Sequence, residues 1–255
     1  MKRVVTIFVM IAMLISMVAL FSSCSKGYYY DNGERYTAGG ANISQEVSKI
    51  DINWVAGNVR VEPYDGDEII FKEDTTSELD TKKQLHYFLD GTTLYIKFAQ
   101  SGIMDKSFSD KSLIVLIPKD EVYNISIETE SANVYLYSNE SNFNEVYAKS
   151  KNGFIDLKMN SARSIYAENS NNNVELSIYD YVSSCNVKAY GNILVNASKN
   201  TDFVAKTNAS SSNLNCSFDT KNINGELSYT NGVGTNSSRY ELNTDSGKVS
   251  IFPLI

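Results

Sequence analysis

One histidine, three cysteines and a scatter of carboxylates are the residues of this 255-residue chain that could do acid–base, nucleophilic or metal chemistry. His86 lies in Gln84-Leu85-His86-Tyr87-Phe88-Leu89, an alternating run with no nucleophile motif beside it. It reads as a structural strand residue and not as a general base. A single histidine and three cysteines also fall short of a tetrahedral zinc set. Cys185 and Cys216 alternate in phase with Val187 and Leu214 and read as buried thiols acting as small hydrophobes. A disulfide between them stays open, since an exported chain permits one and its Cα atoms would have to come within roughly 4.4–6.8 Å. Asp65-Gly66-Asp67-Glu68 and Glu73-Asp74 lack the oxygen spacing of a calcium loop and read as solvated turn acids. Glu128, Asp156 and Glu175 are of the type that flanks a glycosidic bond, but linear spacing brings no two of them to a productive separation. The expectation is a non-catalytic chain with no metal and no cofactor. A carbohydrate-active enzyme on a β-helix is the rival reading.

Position and charge say more. Lys2 and Arg3 precede an apolar run from Val4 to Phe21 broken only by Thr6 and Ser16, which reads as an export signal over residues 1–23. It runs into Phe21-Ser22-Ser23-Cys24, small residues before a cysteine, and this stretch resembles a bacterial lipobox, with Phe21 where Leu is common. Cys24 is therefore expected to be the lipidated mature N-terminus, its two or three acyl chains giving stable membrane attachment where one chain is marginal. Residues 24–46 are polar and Gly-rich without a sustained period and read as a flexible tether. The net charge is −7, and −9 once Lys2 and Arg3 are lost, which argues against a nucleic-acid partner.

The body, residues 47–255, carries a repeat. Residues 122–255 contain 23 Asn and 21 Ser, yet short alternating apolar pairs keep returning: Ile125/Ile127 then Val134/Leu136, Val146/Ala148 then Ile155/Leu157, Ile165/Ala167 then Val174/Leu176. Period two is the strand signal. The second strand begins seven residues after the first ends, from Ile127 to Val134, Ala148 to Ile155 and Ala167 to Val174, and units recur about every twenty residues. Val187 to Ile193 continues the series with one residue fewer, Ala205 to Leu214 with two more, and Leu242 to Val249 closes it at seven. A small or turn-tolerant residue precedes each second strand by two: Ala132, Gly153, Asn172, Gly191, Ser212 and Gly247, as expected if the corner needs positive φ. Ile52 to Val59 repeats the pattern upstream around Gly57, and Asp90-Gly91 marks a hairpin.

Units this short cannot bury an apolar face alone, so they must stack. The expected fold is all-β: a β-solenoid of short parallel strands, about twenty residues per coil, with an antiparallel hairpin portion at its N-terminal end. An antiparallel β-sandwich is the alternative. Stacking in chain order lines up Ile127, Ala148, Ala167, Val187 and Ala205 against Val134, Ile155, Val174, Ile193 and Leu214. It also sets Glu128, Lys149, Glu168, Lys188 and Lys206 in one outward register.

The pattern at 50–61, the strand ending in Ile117-Pro118, and the closing Leu242-Asn243-Thr244-Asp245-Ser246-Gly247-Lys248-Val249-Ser250-Ile251 are similar to the bacterial putative-adhesin family of β-strand-repeat proteins, over roughly residues 48–252. That resemblance implies a solenoid and an adhesin-like role, and it brings no catalytic residues. In the proposed register Tyr135, Tyr137, Tyr147, Tyr166 and Tyr179 point outward, a face suited to a glycan or protein ligand. The functional expectation is a non-catalytic, lipid-anchored envelope protein, adhesin-like or scaffolding, at an outer membrane or cell surface. A periplasm-facing envelope-stress partner is the third reading.

Overall fold

A computed structural model describes residues 28–103, 111–223, 226–231 and 236–254. The expected signal peptide and Cys24 lie outside these residues. In chain order the strands are β1 (Thr37–Ala38), β2 (Ala41–Ile43), β3 (Lys49–Trp54), β4 (Asn58–Tyr64), β5 (Ile69–Asp74), β6 (His86–Asp90), β7 (Thr93–Lys97), β8 (Ser112–Pro118), β9 (Tyr123–Thr129) and β10 (Asn133–Ser150). They continue as β11 (Ile155–Asn169), β12 (Val174–Ile178), β13 (Val182–Ala189), β14 (Ile193–Ala197), β15 (Asp202–Thr207), β16 (Leu214–Cys216), β17 (Lys221–Ile223), β18 (Glu226–Tyr229), β19 (Ser237–Thr244) and β20 (Val249–Pro253). Among the described residues there is no α-helix, and no helix is long and apolar enough to cross a membrane.

Period two has the consequence expected of it. Alternate residues of nearly every strand turn inward, and two ladders face one another across a continuous core. The first ladder runs β7–β3–β9, then the second halves of β10 and β11, then β13–β19–β15, all parallel. The second runs β8–β4, the first halves of β10 and β11, then β12–β14–β20–β16, also parallel. β10 and β11 cross from one ladder to the other, β10 with a register shift between Ser138 and Asn142. The arrangement is solenoid-like, with central ladders that are parallel where a sandwich would need antiparallel ones.

Coil order departs from chain order at both ends. The β3/β4 coil lies between β7/β8 and β9/β10. The β19/β20 coil lies between β13/β14 and β15/β16. Val187 therefore meets Leu242 and not Ala205, and Leu242 in turn meets Thr207. Thr207 to Leu214 restores the seven-residue corner, so the apparent insertion after Ala205 came from choosing the apolar residue over the threonine. Lys206 likewise aligns with Glu241, outside the register of Glu128, Lys149, Glu168 and Lys188. The reason is edge protection. Chain flanking each outermost coil covers it, from before β7/β8 and from after β15/β16: β5 and β2 pair antiparallel on β8, β6 and β1 on β7, and β18 and β17 on β15. Unpaired strand edges invite aggregation, and antiparallel covers close most of them.

Residues 28–46 do not hang free. Tyr28 pairs with Ile103 and its hydroxyl donates to the Asn53 carbonyl at 2.9 Å, while Tyr30 donates to the Ala99 carbonyl at 3.0 Å. Tyr30, Tyr36 and Phe88 follow in ring contact. The expected tether is thus folded from Tyr28 onward. It showed no period because isolated tyrosines, not an alternating run, hold it.

Corners are built differently from expectation. Of the corner positions named above only Gly57 has positive φ, at 82°. A Cβ on Gly153 would instead lie 1.9 Å from the Ala132 carbonyl oxygen of the coil before, so glycine there serves close approach. Three residues before the corner a buried polar side chain caps the turn: Ser150 accepts from Gly153 N–H at 2.9 Å, Asn169 from Asn172 N–H at 2.8 Å, and Thr244 from Gly247 N–H at 2.9 Å. Asparagines also bond one coil to the next, Asn133 to Asn58 at 3.0 Å, Asn144 to Asn124 at 2.8 Å, Asn160 to Asn142 at 2.9 Å and Asn171 to Asn152 at 2.8 Å. Much of the Asn and Ser content is thereby spent within the fold, satisfying groups that would otherwise be orphaned.

Candidate functional site

The five outward tyrosines do not share one face. Tyr147 and Tyr166 lie on the first ladder, on the second halves of β10 and β11; Tyr135 and Tyr137 lie on the second ladder; Tyr179 follows β12 at its edge and is 40% exposed. The crossing of β10 divides them. On the first ladder the Tyr147 and Tyr166 rings stack at 5.2 Å with 7° between planes, hiding one face of each. Charges there neutralise one another: Lys149 pairs with Glu168 at 2.9 Å, and Lys97 with Asp51 at 3.1 Å. The Tyr166 hydroxyl bonds Glu168, which together with burial raises the phenol to about 12 and draws the Glu168 carboxyl down.

The second ladder's outer face differs in kind. Ile114, Leu116, Tyr135, Tyr137, Leu194 and Phe252 stand outward and half-buried along it. In their midst Asp156 is only 5% exposed although it is on the outer side. One carboxylate oxygen, Oδ2, accepts from the Tyr137 hydroxyl at 2.7 Å and faces Lys158 Nζ at 3.2 Å. The other, Oδ1, is buried without a hydrogen-bond partner. Tyr135 on one side and Glu175 on the other are its direct cross-strand neighbours. Burial, and then the Asp156 charge, push the Glu175 carboxyl above its ordinary value. Burial and Asp156 likewise raise the Tyr137 phenol. Lys158 Nζ lies 4.4 Å over the Tyr137 ring. Of the three carboxylates weighed from sequence, the fold joins Asp156 with Glu175 and sends Glu128 to the opposite face.

A second polar cluster lies inside the N-terminal end of the stack. Lys111, 3% exposed, pairs with Glu73 and donates to the carbonyls of Lys83, at 2.5 Å, and Phe98, over the ring of Phe98 at 4.5 Å. Glu73 also accepts the Leu85 N–H at 2.6 Å. It is no solvated turn acid, and sequence could not show this because its partner Lys111 lies far along the chain, just before β8. His86, 5% exposed, contacts the Gln84 carbonyl through Nδ1 at 3.0 Å, and burial lowers its pKa, in keeping with a structural residue. Burial lowers Lys111 from 10.5 to about 8. Between those values the unfolded chain holds the extra proton, so stability rises with pH from 8 to about 10, where tyrosines begin to ionise. Lys111→Met flattens that rise in denaturant melts taken across the window and lowers the melting temperature at pH 7; a rise of unchanged slope would assign it elsewhere.

The remaining candidates are structural. Asp65 pairs with Lys119 at 2.5 Å, and Glu68 accepts from Asn42 at 3.1 Å. Cys185 and Cys216 are free thiols on opposite ladders with the β19/β20 coil between them, and burial raises the Cys185 thiol. No group of three or more His, Cys, Asp or Glu side chains could hold a metal among the described residues.

A stack of two-stranded coils closed by antiparallel caps defines a class of β-repeat proteins. The family model described as Toastrack DUF4097 matches residues 47–177, and the chain belongs to that family. The match ends within β12, so the later coils lie beyond it. A crystal structure described as a putative cell adhesion protein from Clostridium sporogenes ATCC 15579 superposes with a TM-score of 0.50 at 12% identity, covering 84% of this chain and 100% of that one. A putative adhesin from Bacteroides fragilis NCTC 9343 gives 0.30 at 10% identity, over 84% and 96% of the two chains. A putative lipid binding protein from Parabacteroides distasonis ATCC 8503 gives 0.30 at 13%, over 85% and 94%. No curated protein matches the sequence.

Proposed function

We propose that this chain is a non-catalytic, lipid-anchored protein of the bacterial cell envelope, adhesin-like or scaffolding, that binds a glycan or protein through an outer face of its stack. The observation that carries the reading is the second ladder's outer face, where tyrosines and apolar side chains surround a carboxylate with an unfilled acceptor. Such amphipathic surfaces are the kind that interaction sites use. Family membership and the fold shared with the Clostridium protein are in keeping with it. The acidic balance favours partners other than nucleic acid.

The anchor is Cys24, whose thiol is acylated before residues 1–23 are cleaved away, and the location is an outer membrane or the cell surface in preference to the periplasmic face of the cytoplasmic membrane. Only three residues, Ser25 to Gly27, separate Cys24 from Tyr28, which is pinned at the N-terminal end of the stack. The four chain steps from Cys24 to Tyr28 reach at most about 14 Å. That end is held against the bilayer, and the later coils project outward. With residues 1–23 replaced by a leader that is cleaved without acylation, Cys24→Ala is expected to move the folded protein from the membrane to the soluble fraction of fractionated cells. A Cys24→Ala protein that stays with the membrane contradicts the anchor.

A further inference from the structure

We propose that the outer face of the second ladder, centred on Asp156, is a saccharide site for sugars that bring hydrogen-bond donors and no negative charge. The inference rests on the binding-module reading above and names its site and ligand class. Asp156 is buried on the outer side of a sheet, with Oδ2 engaged by Tyr137 and Lys158 and Oδ1 unpartnered. An unfilled carboxylate oxygen accepts from a donor, so the ligand group that completes it is a hydroxyl, an amide N–H or an ammonium. Glu175, in register on the next strand about 4.8 Å away, adds a second acceptor. Two carboxylates against one lysine leave a negative surplus, which disfavours uronic or sulfated sugars.

Ring chemistry completes the class. Tyr135, the other direct neighbour of Asp156, lies tilted against Tyr137 at 5.6 Å, unlike the closed stack of Tyr147 and Tyr166 on the opposite face. A phenol face beside a carboxylate acceptor suits the apolar side and the hydroxyl edge of a pyranose. A divalent cation fits poorly, since calcium takes six to eight oxygens and this cluster offers two carboxylates. The donor reaches Oδ1 by rotation of the half-buried side chains flanking it, Tyr135 and Glu175, with the strands in place.

The test is calorimetric titration of residues 25–255 with four probes: the glucosamine tetramer, the N-acetylglucosamine tetramer, the galacturonic acid tetramer and calcium chloride. Binding of either of the first two is expected, weakened at least tenfold by Tyr135→Ala and by Glu175→Gln, and unchanged by Tyr166→Ala on the opposite face. Asp156→Asn is expected to do the same where its thermal melt matches the parent; the two surface variants decide the matter if it does not. Binding of galacturonate or calcium alone, no binding of any probe, or binding insensitive to the second-ladder substitutions overturns the site. Membrane attachment through Cys24 is read separately by fractionation, so failure here leaves the anchor untouched.

Discussion

A chain ending at Thr230 should lose far more than a terminal coil. Such a truncation removes β19 and β20, which carry Tyr240, Leu242, Val249 and Ile251, each no more than 3% exposed. At about 1.5–3 kcal/mol per buried side chain the loss is about 6–12 kcal/mol, comparable to the whole stability of an ordinary domain. The position of the loss matters as much as its size. β19 separates β13 from β15, and β20 separates β14 from β16, so the truncation opens a slot inside the stack. Hydrogen exchange should show protection lost across β13 to β18, with β9 to β12 better preserved. If β15 and β16 kept their protection, the terminal coil would be the outermost one and the order of coils described above would be wrong.

Gly153→Ala carries the second large effect. The added Cβ would sit 1.9 Å from the Ala132 carbonyl oxygen and 2.3 Å from its carbon, backbone atoms that cannot rotate away. Forcing atoms into a packed interior costs about 1–3 kcal/mol, and a backbone clash lies at the upper end. At about 3 kcal/mol, a domain of this size should melt about 6–12 °C lower. Gly91→Ala is the informative comparison. Gly91 has φ 58° and open space around its Cβ position, so the substitution there meets only the left-handed backbone penalty of about 1–2 kcal/mol. Equal losses at the two sites would mean that the corner glycine serves conformation and not coil spacing.

These two residues also show how far the sequence could be read. Both glycines look alike in a string, because a turn signal does not say whether φ or a neighbouring coil demands it. The strands and the seven-residue corner were legible, since period two and a fixed turn length are local properties. Coil order was not. Every coil has the same local pattern, and the choice of Leu242 over Ala205 as the neighbour of Val187 follows from how the edge of a different coil is covered. The Glu73–Lys111 pair was hidden for the same reason.

The outward tyrosines were legible as outward but not as a group. Alternation gives a side of the strand, while the crossing of β10 decides which sheet that side belongs to. Asp156 was visible only as one carboxylate among many; its burial depends on Tyr137 and Lys158, which cover it from a neighbouring strand and from its own.

We propose that this module faces outward from a membrane it is tied to. Intact cells producing the full chain, treated with a membrane-impermeant amine-reactive biotin, test it most directly. Lys151, at a corner with 58% of its side chain exposed, and the exposed Lys199 report the folded domain, and a known interior protein reports leakage. Labelling of both lysines with the interior protein untouched is the result expected. Labelling only after permeabilisation would contradict the surface role and turn the search toward a partner inside the envelope.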